Sequence, residues 1–382
     1  MKQTDIIDWR RHFHRYPELS GEEKETASFI AGLLRDFGLP VQERVGGEYG
    51  LVALIEGDPR YRCAALRADM DALPVTEVSD CVYKSQAPGV THACGHDAHM
   101  AMVLGAARAL AVSPPRGSVK LVFQPHEERK PGGARAMIEA GVLENPGVDG
   151  LFATHVNNSF PLGSIAVSDG AMMAASDDFD LVIVGQSGHG AIPHMAVDPI
   201  AIAAQVITAY HEIVPRRIDP VDPAVLSICS VNSGDTYNVI PNDVVLRGTV
   251  RCFDLAVRER IKAEMARVAA GICSAWRAEA RLDYYPGYPP LLNDPKMAAI
   301  VRRATAGVPG AGAVLVPKPP MAGEDFAVFG QYRPIAFFFT GTGSERCQRR
   351  WHDYAFDIEE EALILGAKVF AAAAADLANQ KK

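Results

Sequence analysis

The stretch THACGHDAH, Thr91 to His99, places one thiol, three imidazoles and one carboxylate within nine positions. Cys94 and His96 are two residues apart, so in an extended segment their side chains leave the backbone on the same side. A thiolate and an imidazole in that arrangement are typical of half of a transition-metal site. A polar loop with a chance cluster of histidines is the simpler alternative, and it weakens only if other segments supply further ligands.

The segments around this stretch alternate between short apolar runs and helical patterns. The apolar runs occupy 51–55, 63–66, 119–123 and 151–153, and the helical patterns occupy 100–112 and 133–143. This alternation predicts an α/β fold with a mixed, largely parallel sheet. Open α/β sheets place their sites at the carboxyl ends of strands. The polar residues that follow the runs are therefore candidates for a site: Asp69, Asp71, Glu127, Glu128 and His155.

The pattern changes from about Ser176, where apolar and polar residues begin to alternate. The predicted elements are a strand near 179–183, a helix from Pro199 to about Val214, strands at 224–231 and 243–253, a helix at 255–277 and a strand near 280–285. This β-α-β-β-α-β order is that of a ferredoxin-like α+β sandwich. An apolar strand at 335–339 and an Ala-rich C-terminal helix then resume the α/β style. We therefore predict a discontinuous catalytic domain, 1–175 and 289–382, interrupted by an inserted satellite domain, 176–288.

A further helix is predicted near the start of the chain. Ser20-Gly21-Glu22-Glu23 has the form of a capping box, and apolar residues follow it at helical spacing as far as Phe37.

Composition narrows the class of protein. The chain has 382 residues and a net charge of −8, without the basic stripe that would favour nucleic acid or an anionic membrane. No window approaches the roughly 20 apolar residues of a membrane span. The first residues lack an apolar signal core, which favours a cytoplasmic location. Seven scattered cysteines do not form a disulfide framework.

Adjacent carboxylates in Gln124-Pro125-His126-Glu127-Glu128 can divide two tasks, since one can bind a metal while the other accepts a proton from water. A solvated acidic turn is the alternative. Taken alone, a histidine in the position of His155 or His352 is more often a hydrogen-bonded structural residue than a ligand. These two histidines, together with Cys94, His96 and a carboxylate of the acidic pair, give five candidate ligands. A set of S, N and O donors suits borderline divalent ions better than Mg²⁺ or Ca²⁺.

Six motifs occur in a fixed order: RADMDALPVTE (67–77), THACGHDAHM, FQPHEE, GHGAIPHMAVDPI, NVIPNDVVLRGTVRCFD and AGEDF. In this combination the chain resembles the aminoacylase, hippurate-hydrolase and auxin-conjugate-hydrolase branch of the dinuclear metallopeptidase family that also contains succinyl-diaminopimelate desuccinylase. The resemblance runs from HRYPEL, which begins at His14, to the last helix.

The resemblance implies a zinc-peptidase-like catalytic domain with two divalent transition-metal ions per subunit, Zn²⁺ or Mn²⁺. The implied metal ligands are Cys94, His96, Glu128, His155 and His352. The implied general base is Glu127, and Asp69 would support the ligands without being one of them. In the satellite domain, His189 would reach a neighbouring subunit and steady the oxyanion, while Asn238 and Arg251 would hold the substrate carboxylate.

The expected activity is hydrolysis of the amide bond of an N-acyl amino acid by a homodimer or higher homo-oligomer, with Glu127 taking a proton from water that the metals activate. A dipeptidase or carboxypeptidase and a non-catalytic metal-binding relative are the alternatives. The chain departs from the family pattern at His126, at Arg129-Lys130 and at Asn157-Asn158. These departures leave the acyl group and the role of His126 open.

Overall fold

The computed structural model describes residues 3–382, which form alternating strands and helices. The strands are β1 (Val41–Glu43), β2 (Leu51–Ile55), β3 (Ala64–Asp69), β4 (Val119–Gln124), β5 (Gly150–Pro161), β6 (Ile165–Ala166), β7 (Gly170–Met173), β8 (Ala175–Val184), β9 (Gly188–His189), β10 (Ala224–Asn232), β11 (Val239–Ile240), β12 (Asp243–Cys252), β13 (Glu279–Tyr288), β14 (Leu291–Asn293), β15 (Val314–Leu315) and β16 (Ile335–Gly343). The helices are α1 (Gln3–Arg15), α2 (Lys24–Asp36), α3 (His96–Val112), α4 (Ala134–Glu139), α5 (Pro199–His211), α6 (Ile213–Arg217), α7 (Leu255–Ala275), α8 (Pro295–Gly307) and α9 (Ala362–Ala378). Within 3–382 no helix is long and apolar enough to cross a membrane.

The first of two compact units contains an eight-stranded sheet. It comprises residues up to Met172 together with Leu292–Lys318 and Asp325–Lys382. The strand order is β1-β2-β4-β3-β5-β16-β6-β15. The four central strands, β4, β3, β5 and β16, are parallel to their neighbours in this group, whereas β1 and β2 run antiparallel at one end of the sheet. The prediction of a mixed, largely parallel sheet is confirmed.

Helices α3 and α9 cover the core of the first unit, and both present many buried small residues. Glycine allows their close approach. A Cβ on Gly366 would lie 1.9 Å from the sulfur of Met102, and one on Gly105 would lie 3.0 Å from the Cβ of Ala367. A side chain at either point would force the two helices or their neighbours to move, so these glycines allow α3 and α9 to pack closely.

Strand β5 is longer than the predicted run of 151–153, and His155 lies inside it rather than after it. The cause is its parallel partner β16, which stays in register from Ile335, opposite Leu151, to Gly341, opposite Asn157. The ladder of hydrogen bonds therefore carries the strand past the point where its apolar pattern ends.

The predicted capping box is wrong. Helix α2 begins at Lys24, and the hydroxyl of Ser20 donates to Asp71 Oδ2 at 2.6 Å instead of capping the helix. The carboxylate of Glu18 accepts from the backbone N–H of Glu25 and Thr26, at 3.0 and 2.8 Å. A carboxylate six residues before the helix therefore satisfies its first donors, and no local sequence spacing could have indicated this.

The second unit comprises Met173–Leu291 and Pro319–Glu324 and contains a four-stranded antiparallel sheet of order β10-β12-β8-β13. Its elements follow the β-α-β-β-α-β order that was predicted. Residues 319–324 differ from the predicted division, which assigned them to the catalytic domain. They belong to the second unit because Ala174 N donates to Ala322 O at 2.9 Å and Gly323 packs against Ser176. The assignment of the units as catalytic and lid domains stays a prediction.

Candidate metal centre

The predicted ligands come together in the first unit. Donor atoms lie within 4.8 Å of one another in each of three overlapping groups. These groups are Cys94, His96 and His155; Cys94, Glu128 and His352; and His96, Glu127 and Glu128. Four separate segments therefore deliver the five predicted ligands and the predicted base to one cluster, which we call the metal-centre cluster.

A glycine shapes the segment that carries Cys94 and His96. Gly95 has a φ of 91° and precedes the first residue of α3. A Cβ there would lie 2.4 Å from a methyl carbon of Val156 on β5. Both the left-handed backbone and the close approach exclude a larger residue. This tight turn brings Cys94 against β5, where its Sγ lies 3.3 Å from His155 Nε2.

The hydrogen bonds of His155 prepare its Nε2 atom as a ligand. Its Nδ1 lies 2.8 Å from the carbonyl oxygen of Val156, which can only accept, so Nδ1 carries the proton and Nε2 keeps its lone pair. Burial and the neighbouring imidazoles of His99 and His96 lower the pKa of His155 well below its usual value. His155 is therefore a neutral imidazole, the form that binds metals.

His99 and Asp69 support the cluster from behind. The backbone N–H of Val156 donates to His99 Nε2 at 3.0 Å, so the proton of this ring is on Nδ1, which lies 2.6 Å from Asp69 Oδ1. Asp69 Oδ2 also accepts from Arg67 at 2.6 Å and lies 3.8 Å from His96 Nε2. These positions are compatible with the expected supporting role of Asp69.

Asp71 was among the polar residues that the sequence placed at the site, but no specific role was assigned to it. Its Oδ2 accepts from the backbone N–H of Glu128 at 2.9 Å, and its Oδ1 lies 3.4 Å from His96 Nδ1. One carboxylate therefore contacts two of the predicted ligand residues. The Asp-x-Asp spacing of 69–71, which places both side chains on one side of the strand end, is the signal that could have indicated that Asp71 supports the ligands as Asp69 does.

Asp325 is a second residue of this kind. Its carboxylate accepts from Arg67 at 2.7 Å, from Gln124 at 2.6 Å and from the backbone N–H of Ala134 at 3.0 Å. Its own backbone N–H donates to Glu127 Oε1 at 3.3 Å. The acidic pair 324–325 reads as a surface turn in the sequence, yet both residues are buried.

The electrostatics of the metal-centre cluster favour a bound cation. Burial opposes a charge on His96, but Asp69 and Asp71 overcome it and raise the pKa of His96 to about 10. Burial, with the charges of Glu128 and Glu127, raises the pKa of the Cys94 thiol well above its usual value. An excess of carboxylate charge thus holds protons on both groups, and a divalent cation would replace those protons.

Buried atoms that form no hydrogen bond give a second test of fit. Among the described residues these atoms include His96 Nδ1 and Asp71 Oδ1, which lie 3.4 Å apart, and Glu128 Oε1, which lies 3.4 Å from His352 Nε2. An unsatisfied buried polar atom costs about 1–3 kcal/mol, so several in one place call for a ligand. A thiolate, imidazoles and a carboxylate are the donors that Zn²⁺ and related ions prefer, and the residues therefore fit such ions.

His352 is the exposed member of the cluster, with 55% of its side chain accessible. Its Nε2 lies 3.4 Å from Glu128 Oε1, and its backbone N–H donates to Ala93 O at 2.8 Å. The second contact ties the C-terminal loop to the residue that precedes Cys94. His126, in contrast, is held through its backbone, since its N–H donates to Glu23 Oε1 at 2.8 Å while its φ is 64°.

The three predicted residues of the second unit are arranged differently. His189 and Asn238 are both exposed and adjacent, because β9 pairs with β11 and Gly190 N donates to Asn238 O at 2.8 Å. The backbone N–H of Ala191 donates to His189 Nδ1 at 3.1 Å. Arg251 is half-buried, and its Nη1 donates to the carbonyl oxygen of Asp177 at 3.1 Å.

Comparison with known proteins gives concordant matches. The model of peptidase family M20/M25/M40 matches residues 65–376. An N-acyl-L-amino acid amidohydrolase of Geobacillus stearothermophilus is 44% identical over 295 residues, 76% of this chain and 78% of that protein. Thermostable carboxypeptidase 1 of Saccharolobus solfataricus is 39% identical over 386 residues, 98% of this chain and 97% of its own.

A solved structure also matches along the whole length. It is a peptidase of Bacillus subtilis, described as a dinuclear metal-binding member of the M20 family, with 34% identity, a TM-score of 0.87 and 99% of both chains covered. The resemblance that was drawn from the six sequence motifs is confirmed by these matches.

Proposed function

The chain belongs to peptidase family M20/M25/M40 and is a metal-dependent amidohydrolase or peptidase, and from this premise we propose that it hydrolyses the amide bond of N-acyl amino acids. The convergence of a thiol, three imidazoles and two adjacent carboxylates in the metal-centre cluster carries the proposal. The likeness to an N-acyl-L-amino acid amidohydrolase supports the substrate class.

Two divalent ions, Zn²⁺ or Mn²⁺, would be held by Cys94, His96, Glu128, His155 and His352. When bound, such ions lower the pKa of water towards neutrality and polarise a carbonyl group. The description of the Bacillus subtilis relative as dinuclear supports the number of ions. The thiol of Cys94 favours Zn²⁺, while the imidazoles and the carboxylate also accept Mn²⁺.

Glu127 would act as the general base. It is buried in the cluster, where the backbone N–H of Asp325 donates to its Oε1 at 3.3 Å and its neighbour in the chain is the predicted ligand Glu128. It takes the proton of the attacking water and returns it to the leaving nitrogen. The nitrogen needs that proton, because an amide anion is a very poor leaving group.

His189 would stabilise the oxyanion. Since the N–H of Ala191 donates to its Nδ1, the neutral ring carries its proton on Nε2. An exposed ring with a fixed Nε2–H group is a suitable donor to a developing negative charge. We propose that it serves a neighbouring subunit of a homodimer, and that Asn238 and Arg251 bind the carboxylate of the substrate. A cytoplasmic location likewise stays a prediction.

A carboxypeptidase or dipeptidase is the second candidate, and the likeness to thermostable carboxypeptidase 1 over nearly the whole chain favours it. Both activities use the same chemistry and differ in the group on the acyl side. N-acetyl-methionine and glycyl-methionine release the same amino acid, but only the dipeptide brings an ammonium group.

These two compounds form a matched pair for the test. We expect kcat/KM for N-acetyl-methionine to exceed that for glycyl-methionine by at least about 10-fold, or ~1.4 kcal/mol. The reverse order would favour the peptidase. In the same preparation, elemental analysis should find transition metal, and chelation should abolish turnover of both compounds until Zn²⁺ or Mn²⁺ is returned. Full activity of metal-free protein would contradict the proposed centre.

A further inference from the structure

The first unit contains a second cluster of metal-binding side chains that the proposed reaction does not use. It consists of His14 from α1 and Glu77 and Cys81 from the irregular segment between β3 and α3. Their donor atoms lie within 4.8 Å of one another. We propose that these three residues bind one Zn²⁺ ion, or an ion of similar preference, separate from the metal-centre cluster.

The spacing of the donor atoms fits a tetrahedral ion. With zinc bonds of about 2.0 Å to N and O and about 2.3 Å to S, tetrahedral geometry separates N from O by about 3.3 Å and S from O by about 3.5 Å. In the structure His14 Nε2 lies 3.3 Å from Glu77 Oε1, and Cys81 Sγ lies 3.6 Å from the same oxygen. Both separations therefore match those of a tetrahedral ion, and the third pair, His14 and Cys81, lies within 4.8 Å.

The residues behind the donors orient them in the manner of a metal site. His14 Nδ1 lies 2.8 Å from Asp97 Oδ2, and Arg10 holds that oxygen at 2.8 Å. The proton of His14 is thus directed to a carboxylate, and its Nε2 faces Glu77, which is the carboxylate–histidine–metal arrangement. The second oxygen of Glu77 accepts from the backbone N–H of Ser85 at 2.7 Å.

An ion can enter and leave this site. His14 and Glu77 are buried, whereas Cys81 is only half-buried and forms the outer side of the cluster. The hydroxyl of Ser79 contacts both Glu77 Oε1 and Cys81 Sγ, so it or a water can serve as the fourth ligand. On binding, the Cys81 thiol and the His14 Nε2 that faces Glu77 release their protons to solvent, and the ion takes those positions.

The consequence would be structural. The segment from Asp71 to Gly95 joins β3 to α3 and ends at the turn that carries Cys94. An ion shared by Glu77, Cys81 and His14 would fasten this segment to α1. The site would thereby restrain the backbone that leads into the metal-centre cluster without contributing a ligand to it.

The first measurement uses the wild-type protein with both metal sites intact. Tryptic cleavage after Arg67 and Lys84 yields a peptide, 68–84, in which Cys81 is the only cysteine, and cleavage after Arg217 and Arg247 isolates Cys229 in the same way. With Zn²⁺ in slight excess, we expect alkylation of Cys81 by N-ethylmaleimide to be at least about 10-fold slower than in the same protein without added Zn²⁺. The reason is that a bound thiolate is withdrawn from reaction. Exposed Cys229 is the internal control and should react at an unchanged rate.

The second measurement compares two variants that change only accessible thiols. After dialysis against micromolar Zn²⁺, elemental analysis of Cys81→Ser should show about one ion fewer per chain than Cys229→Ser. The difference does not depend on how many ions the metal-centre cluster holds, so it is independent of the proposed function. An unchanged alkylation rate of Cys81, or equal zinc contents of the two variants, would overturn the proposal.

Discussion

Each unit buries carboxylate charge, around Asp177 in the second unit and in the metal-centre cluster in the first. The two sites differ in which groups compensate that charge. In the second unit the carboxylate of Asp177 accepts from Arg258, from the Tyr284 hydroxyl at 2.7 Å and from Gly287 N at 2.9 Å. In the first unit the metal-centre cluster leaves Asp71 Oδ1 and Glu128 Oε1 without hydrogen-bond partners. Both sites are buried, so the difference lies in the partners and not in the exposure.

The comparison separates a structural ion pair from a site that awaits a ligand. A buried carboxylate with an internal cation and several donors needs nothing more, and it contributes to folding through its pairing. Buried carboxylates that raise the pKa of a neighbouring imidazole and a thiol, and whose oxygens lie 3.4 Å or more from the imidazoles of His96 and His352, favour an added cation. Substitutions in the two clusters should therefore affect different measurements.

The largest effect is expected within the metal-centre cluster. Glu127→Gln keeps the shape of the side chain and removes the proton acceptor, so kcat should fall by about 10²–10⁴-fold with metal content unchanged. Glu128→Gln is the matched variant one residue away, and it should instead lower metal occupancy. Kinetics and elemental analysis of both proteins provide the check. Equal loss of metal in the two variants would contradict the division of tasks between them.

The structural cluster should respond in stability rather than in chemistry. Asp177→Asn leaves the buried guanidinium of Arg258 without its counter-charge, and breaking such a pair costs about 3–5 kcal/mol. The matched variant is Asp180→Asn on the same strand, whose pair with Arg247 is solvent-exposed and contributes about 1 kcal/mol or less. Urea denaturation measures both. Loss of metal from otherwise folded Asp177→Asn protein would show that the clusters are not independent.

The exposed histidines of the second unit allow a third contrast. His189→Ala should lower kcat by about 10²–10³-fold, the usual cost of one oxyanion donor, with metal content and folding intact. His194→Ala, exposed on the same loop, should retain wild-type kinetics. Mixed dimers of His189→Ala and Glu127→Gln subunits should regain activity if each histidine serves its neighbour's site. An active enzyme that is strictly monomeric would exclude that arrangement.

The sequence was most successful where local patterns decide the structure. The apolar run 51–55 coincides with β2, and the helix predicted at 255–277 corresponds to α7 with its cap at Asp254. The family resemblance also indicated side chains that do converge, among them Cys94, His155 and His352. Short apolar runs and motifs are encoded within a few neighbouring residues, which is why they could be read directly.

The features that the sequence did not predict depend on contacts between residues that are distant in the chain. Glu18 rather than Ser20 satisfies the start of α2, and Asp325 reaches Glu127 across 198 positions. The proton positions of His99 and His155 are set by backbone groups of Val156, which only the folded β5 brings into place. Spacing along the sequence contains no information about such contacts, so the supporting contacts of Asp325 and His99 became visible only in the structure.

The smallest effect that we expect is a pH-dependent change in stability at Glu23. This buried carboxylate differs from the two kinds above, because only backbone N–H groups donate to it. Its oxygens accept from the backbone N–H of Gly21 at 2.9 Å and of His126 at 2.8 Å. Burial raises the pKa of Glu23 from 4.5 to about 7, against the effect of these hydrogen bonds. Backbone donors therefore do not compensate its charge as Arg258 compensates that of Asp177.

The sign of the pH dependence follows from that shift. The folded protein binds the proton of Glu23 more tightly than the unfolded chain does, so the stabilisation is complete below about pH 4.5 and is lost as the pH rises to about 7. Glu23→Gln should not show this loss, and its stability relative to wild type should increase over that interval by up to about 3 kcal/mol. Urea denaturation between pH 4.5 and 8 measures the difference, with Glu22→Gln as the exposed neighbouring control. Parallel pH profiles for wild type and Glu23→Gln would mean that the backbone donors are sufficient, and that a buried acid here needs no cation at all.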